Sequence, residues 1–263
     1  MAQLICMGLD LAWSPRNPSG IATLQVIGDP ELGRLTGILV DSRIAQSNAE
    51  ILDYIQTQAG TDPCLLAVDA PLRVPNMTGQ RQAEAELNQV FRAYEAGAHP
   101  ANRRLLEKDG QVRGEVLVQA LSNCGFQEQA EIQQGILTRQ ITEVFPHSAM
   151  VSLFGLSRTL KYKARPKRTW QERQQAWHLY QEHLQSLTIA DPALSGHEGL
   201  LQVDVGSLKG CSLKNYEDQV DALMCAYIAL YGFRWGCERC HSFGNWEEGH
   251  IFTPLPRGLW SSE

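Results

Sequence analysis

No stretch of this 263-residue chain reaches the roughly 18 consecutive apolar residues that a membrane-spanning helix needs, so a transmembrane role is excluded. The first eight residues, Met-Ala-Gln-Leu-Ile-Cys-Met-Gly, lack both a basic region and a cleavage site, and no signal peptide is expected. Seven cysteines form no paired framework; Cys6, Cys64 and Cys225 sit in apolar runs, where thiols pack as small hydrophobes. A cytoplasmic protein is therefore expected. Positive charge is also short, with 23 Lys and Arg against 29 Asp and Glu. That balance argues against broad coating of nucleic acid but leaves room for a local basic track. Neither the G-x-x-x-x-G-K-[ST] phosphate loop nor the G-x-G-x-x-G fingerprint occurs. No repeat or low-complexity linker divides the chain, so one domain over 1–263 is expected.

What is present is an ordered series of short apolar segments. Residues 3–10 are strand-like and end on Asp10. Gly20 to Ile27 and Arg34 to Val40 are β-rich, with turn chemistry at Gly28-Asp29-Pro30 between them. Ser47-Asn48-Ala49-Glu50 is a capping box that opens a helix to about residue 58. Cys64 to Asp69 reads as a buried strand, again closed by an acid. Helical patterns cover Gly79 to Ala96 and Gln111 to Asn123, and Ile141 to Phe145 is a strand stopped by Pro146. A second capping box at Thr169 starts a helix through Leu187. Lys214 to Tyr231 places Val220, Leu223, Met224, Tyr227, Ile228 and Tyr231 at helical spacing. With helical insertions at about 70–137 and 147–213 set aside, the order is βββ-α-β-α-β-α. This predicts an α/β fold of ribonuclease H-like type: three antiparallel strands, then two parallel ones, in a mixed five-stranded sheet with helices on both faces.

The acids fall at functionally telling places. Asp10 and Asp69 close two strands that this topology sets side by side, at the edge where open α/β sheets place ligands; alone, each is equally a turn cap. Glu143 lies inside a strand between apolar neighbours, where burial is costly unless a cation such as Arg139 neutralises it. Asp218 and Asp221, three apart, share a face of the last helix, Asp218 lying further towards solvent; acids in a first helical turn also favour the dipole. Convergence of all five would cost several kcal/mol per pair, about 4 at close approach with an effective dielectric of ~20. A divalent cation resolves this, and all-oxygen ligands select Mg²⁺ or Mn²⁺.

Four segments carry a resemblance: Met-Gly-Leu-Asp-Leu-Ala-Trp (7–13), Ala-Val-Asp-Ala-Pro-Leu (67–72), Thr-Glu-Val-Phe-Pro-His (142–147) and Asp-Gln-Val-Asp-Ala-Leu-Met-Cys-Ala-Tyr (218–227). Together with Glu-Glu-Gly-His-Ile-Phe-Thr-Pro (247–254), they resemble an uncharacterised family of predicted nucleases with ribonuclease H-like fold, over nearly the whole chain. The last of the four is also similar to the Asp-x-x-Asp-Ala helix of Holliday-junction resolvases. On that likeness Asp10, Asp69, Asp218 and Asp221 are metal ligands, with Asp10 bridging two ions and Glu143 a ligand or a supporting acid. The resolvase acid matching Asp69 is a Glu, so the shorter side chain here departs from the pattern. The resemblance implies a metal-dependent nuclease, a phosphodiesterase acting on DNA or RNA. Two other readings stand beside it. One is an ATP-dependent phosphotransferase of the actin-like or sugar-kinase type, for which Trp13 and Pro15 fit the phosphate loop poorly. The other is a non-catalytic nucleic-acid-binding module.

A basic segment supplies a candidate nucleic-acid track: Arg158, Lys161, Tyr162, Lys163, Arg165, Lys167 and Arg168, with Trp170 and Trp177 as further stacking surfaces. A flexible basic loop is the plain alternative. Arg103, Arg104 and Arg113 form a weaker patch. Cys237, Cys240 and His241, with His250, have the residue types of a zinc site but lack a second Cys pair. His147 is either a base at the acid edge or simply a residue of a helix start.

Overall fold

The computed structural model describes residues 3–29 and 34–261. It is a mixed α/β structure built on a seven-stranded sheet. Strand β1 (Ile5–Asp10) pairs antiparallel with β2 (Ser19–Asp29), which pairs antiparallel with β3 (Arg34–Ala45). The turn expected at residues 28–30 runs into Pro30, which lies outside the described residues. On its other side β1 pairs parallel with β4 (Cys64–Val68), and β4 pairs parallel with β6 (Arg139–Glu143). These five strands are the five expected from the sequence, in the spatial order β3-β2-β1-β4-β6.

The sheet nevertheless has seven strands, not five. Strand β5 (Gln127–Glu128) adds to β6, and β7 (Ala193–Ser195) adds parallel to β3. Both lie within stretches read as helical insertions, and two or three residues are too few to show strand alternation. A separate hairpin, β8 (Cys240–Asn245) and β9 (Gly249–Pro254), ends the described chain's sheet structure.

Helices cover both faces. On one, α1 (Asn48–Ala59) and α4 (Arg113–Ser122) bury Ile51, Ile55, Leu117 and Leu121 against Met7, Leu9, Leu66 and Val68. In chain order α2 (Gln82–Phe91) and the short α3 (Arg103–Leu106) come between α1 and α4, and α2 packs on the β8–β9 hairpin through Ala83, Leu87 and Phe91. The other face carries α5 (Pro146–Phe154), α6 (Trp170–Ser186) and the long α8 (Cys211–Arg239), with the short α7 (Glu198–Leu201) preceding α8. A capping box starts α6 at Thr169 as the sequence places it. At α1, Ser47 accepts from the Glu50 N–H but the Glu50 carboxylate takes the Gln46 N–H, so only half of the expected box forms.

Helix α8 sits directly on β1 and β2 because two glycines let it. A Cβ on Gly8 would lie 1.9 Å from the Ala222 carbonyl oxygen, and one on Gly20 would lie 2.0 Å from that of Asp218. No side chain fits at either position. The helix is consequently buried all round from Val220 to Phe233, and each fully buried Leu or Ile there contributes about 1.5–3 kcal/mol.

Candidate functional site

The β1–β4 register places Leu9 beside Val68, and the Asp69 N–H donates to the Leu9 carbonyl at 2.8 Å. Asp10 and Asp69 therefore leave the sheet side by side. Cys6, Leu65 and Ala67 face α8, so by strand alternation Asp10 and Asp69 face it too. Opposite them α8 presents Asp218 and Asp221, one turn apart, with Glu217 alongside. All three are buried, so Asp218 does not lie towards solvent as expected. Because α8 begins at Cys211, these acids stand about two turns inside it, beyond the reach of the helix dipole.

The structure thus brings four of the five predicted acids together. Asp10 comes within hydrogen-bonding reach of Asp218, and its buried Oδ2 has no hydrogen-bond partner. Burial holds the Asp10 carboxyl well above the usual range; Lys163 opposes this, while Asp221, Asp69 and Asp218 add to it. Burial likewise pushes Asp69 up to about 7, against Lys163 and with Asp221.

Glu143 stands apart. The β4–β6 register pairs it with Val68 and not with Asp69, so it points to the opposite face, with Ile141. There it accepts from Arg81 Nη1 at 2.9 Å and from the Leu72 N–H at 2.9 Å. Arg81, 1% exposed, also pairs with Glu84, forming a buried Glu–Arg–Glu triad. The neutralising cation foreseen for Glu143 exists, but it is Arg81; Arg139 instead donates to the Gly60 and Asp62 carbonyls. Its oxygens are thus held by Arg81 and the Leu72 N–H, while its charge still acts on Asp69 and helps to raise that carboxyl.

The basic segment divides in two. Tyr162 is buried and donates from Oη to Asp221 Oδ1 at 2.6 Å, and Lys163 Nζ lies 2.7 Å from Asp221 Oδ2. Both belong to the acid cluster, not to a surface track, and Trp177 is core rather than a stacking platform. Burial alone would lower the Lys163 ammonium, but Asp221, Asp10 and Asp69 outweigh it and raise it well above its ordinary value. Arg158 and Lys161 pair with Glu95. Arg165, Lys167 and Arg168 face a cleft or solvent and meet no carboxylate among the described residues; Arg168 donates to the Lys163 carbonyl at 2.7 Å. Of the weaker patch, Arg103 is taken by Glu107 and Glu115, and Arg113 is buried.

Lys214 was not foreseen. It bridges Asp218 Oδ1 at 2.6 Å and Glu217 Oε1 at 3.0 Å, an i, i+3, i+4 arrangement that the sequence does display. His147 donates to or accepts from Thr159 Oγ1 at 3.2 Å, and burial lowers its ring to about 3, so it stays neutral.

The donor set at Asp10, Asp69, Asp218 and Asp221 is all carboxylate oxygen, which suits a hard cation, and the unpartnered Asp10 Oδ2 leaves coordinating capacity. Among the described residues no group of three or more His, Cys, Asp or Glu is arranged as a ready metal site, at the acids or at Cys237, Cys240 and His241. At the acids, Lys163 and Lys214 supply the positive charge.

A mixed α/β sheet with a carboxylate cluster at the ends of two parallel central strands defines the class of protein. A family model described as "Protein of unknown function (DUF429)" matches residues 12–248, and the chain belongs to that family. Neither the curated proteins nor the solved structures yield a match. No helix is long and apolar enough to cross a membrane among the described residues.

Proposed function

We propose that this chain is a divalent-metal-dependent nuclease of ribonuclease H-like fold, hydrolysing phosphodiester bonds of nucleic acid. One observation carries the reading: Asp10, with a buried and unpartnered oxygen, meets Asp218 and shares its field with Asp69 and Asp221 at one sheet edge. The strand order β3-β2-β1-β4-β6 supports the fold assignment. Asp10, Asp69, Asp218 and Asp221 would hold Mg²⁺ or Mn²⁺, which when bound supplies Lewis-acid stabilisation to the reacting phosphate. Tyr162 orients the Asp221 carboxylate through its hydroxyl. Lys163 balances the cluster's charge and stands close enough to it to meet a substrate phosphate. Arg165, Lys167 and Arg168 are the cations left to guide a strand.

The test is cleavage of labelled single- and double-stranded DNA and RNA in Mg²⁺ or Mn²⁺. The parent is expected to cut at least one of the four and to stop in chelator. Asp10→Asn is expected to abolish cutting while its melting temperature holds or rises slightly, because removing one acid from a like-charged group relieves repulsion. No cleavage of any substrate, or an active Asp10→Asn, overturns the proposal.

A further inference from the structure

The loop joining β1 to β2, residues 11–18, is held by an unusual device. Arg113, at the start of α4 and 5% exposed, aims its guanidinium at that loop's backbone. Nη1 donates to the carbonyls of Ala12 at 2.8 Å, Ser14 at 3.1 Å and Asn17 at 3.3 Å, and Nε donates to Asn48 Oδ1 at 2.8 Å. Among the described residues no carboxylate pairs with it, and its Nη2 has no partner. Burying a cation against carbonyls alone is costly. What the cost secures is a loop with little freedom, further fixed by a turn from Ser14 to Asn17.

That loop presents Trp13. Its side chain is 48% exposed, and among the described residues it stacks on no other ring. Trp13 lines a cleft of about 540 Å³ together with Ser14, Asn17 and Asn215, and the cleft opens onto Asp10 and Asp218. The volume lies within the ~300–1,000 Å³ range of small-molecule sites. A rigidly held, half-exposed tryptophan beside polar amides and a hydroxyl suits a flat, hydrogen-bonding ring. Lys214, paired with Asp218, also lines the cleft, and with a divalent cation at the acids that end would attract a phosphate. The uncharged ring of a nucleotide therefore belongs on Trp13 and its phosphate at the acid end.

We infer that this cleft receives an unpaired nucleobase, stacked on Trp13, from the nucleotide next to the scissile phosphate. The inference rests on the nuclease reading and makes the substrate a single strand. A base inside a duplex has both faces covered by its neighbours and cannot lie on Trp13 without leaving the stack.

The experiment measures equilibrium binding of the full chain in Ca²⁺ to a labelled single-stranded oligonucleotide, the same strand annealed to its complement, the strand carrying abasic sites, and ATP. Trp13→Ala and Trp13→Phe are compared with the parent, with circular dichroism confirming the fold. The single strand is expected to bind more tightly than the duplex. Trp13→Ala should weaken single-strand binding about ten-fold, as loss of one base–aromatic stack does, with Trp13→Phe retaining most affinity and duplex binding unchanged. Abasic sites should weaken the parent but not Trp13→Ala.

Equal single-strand affinity in Trp13→Ala overturns the inference, as does a parent that prefers duplex. Trp13-dependent binding of ATP without binding of the strand overturns it in favour of a free nucleotide. Trp13-dependent strand binding with no cleavage in Mg²⁺ or Mn²⁺ sinks the nuclease reading and leaves the base cleft standing. Cleavage with an unchanged KM in Trp13→Ala does the reverse.

Discussion

The Lys163 ammonium lies 2.7 Å from Asp221 Oδ2, so a cation of the chain itself stands in the acid cluster. Its field also reaches Asp10 and Asp69. The Lys163 side chain is 24% exposed and that of Asp221 is fully buried, which makes the contact an inner ion pair and not a surface one. Such a pair is kept less for its net stability than for what its loss would strand: a buried carboxylate beside two others.

Lys163→Met therefore tests the cluster from its cationic side. In chelator the variant is expected to lose about 3–5 kcal/mol of stability, the usual consequence of leaving a buried charge alone. Mn²⁺ should then raise its melting temperature by more than it raises that of the parent, because the ion replaces the missing charge. Calorimetry with and without Mn²⁺ measures both. An unchanged melting temperature in chelator, or the same Mn²⁺ response in both proteins, contradicts the arrangement.

Glu143 gives the opposite pattern. Glu143→Gln leaves Arg81 balanced by Glu84 but weakens its charge-assisted hydrogen bonds, and a loss of about 1.5–3 kcal/mol is expected from urea unfolding. Affinity for Mn²⁺ in titration calorimetry should stay at the parent's level, since Glu143 faces away from Asp10 and Asp69. A Mn²⁺ affinity that collapses with stability intact would return Glu143 to the metal shell.

The sequence made Asp10 and Asp69 legible because each closes an apolar run, and strand order then sets them adjacent. Asp218 and Asp221 were legible from their spacing, although the burial of Asp218 was not. It depends on Gly20 admitting α8 against β2, a contact between residues about 200 positions apart. Glu143 misled for a related reason: alternation gives its face relative to Ile141, but only the register with β4 says which face Asp69 shares. The basic segment showed charge without partners. Nothing local announces that Lys163 turns inward to Asp221 while Lys161, two residues earlier, pairs with Glu95. Strands β5 and β7 carried no period to read.

His147 supplies a pH dependence whose sign is definite. Burial lowers its ring to about 3, so in the folded chain it is neutral where an unfolded histidine, near 6.5, takes up a proton. The unfolded state binds more protons between those values, and the contribution to stability is present above about 6.5 and is lost as pH falls towards 3. At about pH 8, His147→Gln should cost only the bond to Thr159 and some packing, about 0.5–1.5 kcal/mol. On acidification the stability gap between parent and variant should narrow and then reverse in urea titrations. A gap that stays constant down to about pH 4 would mean that the ring is charged in the folded chain.

The surviving cations of the basic segment make the last prediction. Glu95 pairs with both Arg158 and Lys161 and offsets one of their two charges, Tyr162 is core, and Lys163 belongs to Asp221. Arg168 holds the Lys163 backbone, so replacing it would disturb the cluster as well as the surface. Arg165 and Lys167 are the clean pair: both are exposed, and Lys167 is held at a φ of +68°, a left-handed backbone uncommon outside glycine. If they contact phosphates, each releases counterions on binding. Replacing both by Ala should lower the log–log salt slope by about 0.7–0.9 per lost contact. Replacing Arg158 and Lys161 by Ala should change it less, because Glu95 already offsets one of their two charges. Binding of a single-stranded oligonucleotide across a salt series reads both slopes, and Mn²⁺ affinity should be the same in all three proteins. If the two double variants changed the slope equally, the ion pairs with Glu95 would be opening on binding and the track would run the length of the segment. If neither changed it, the strand would enter from another side of the acid cluster.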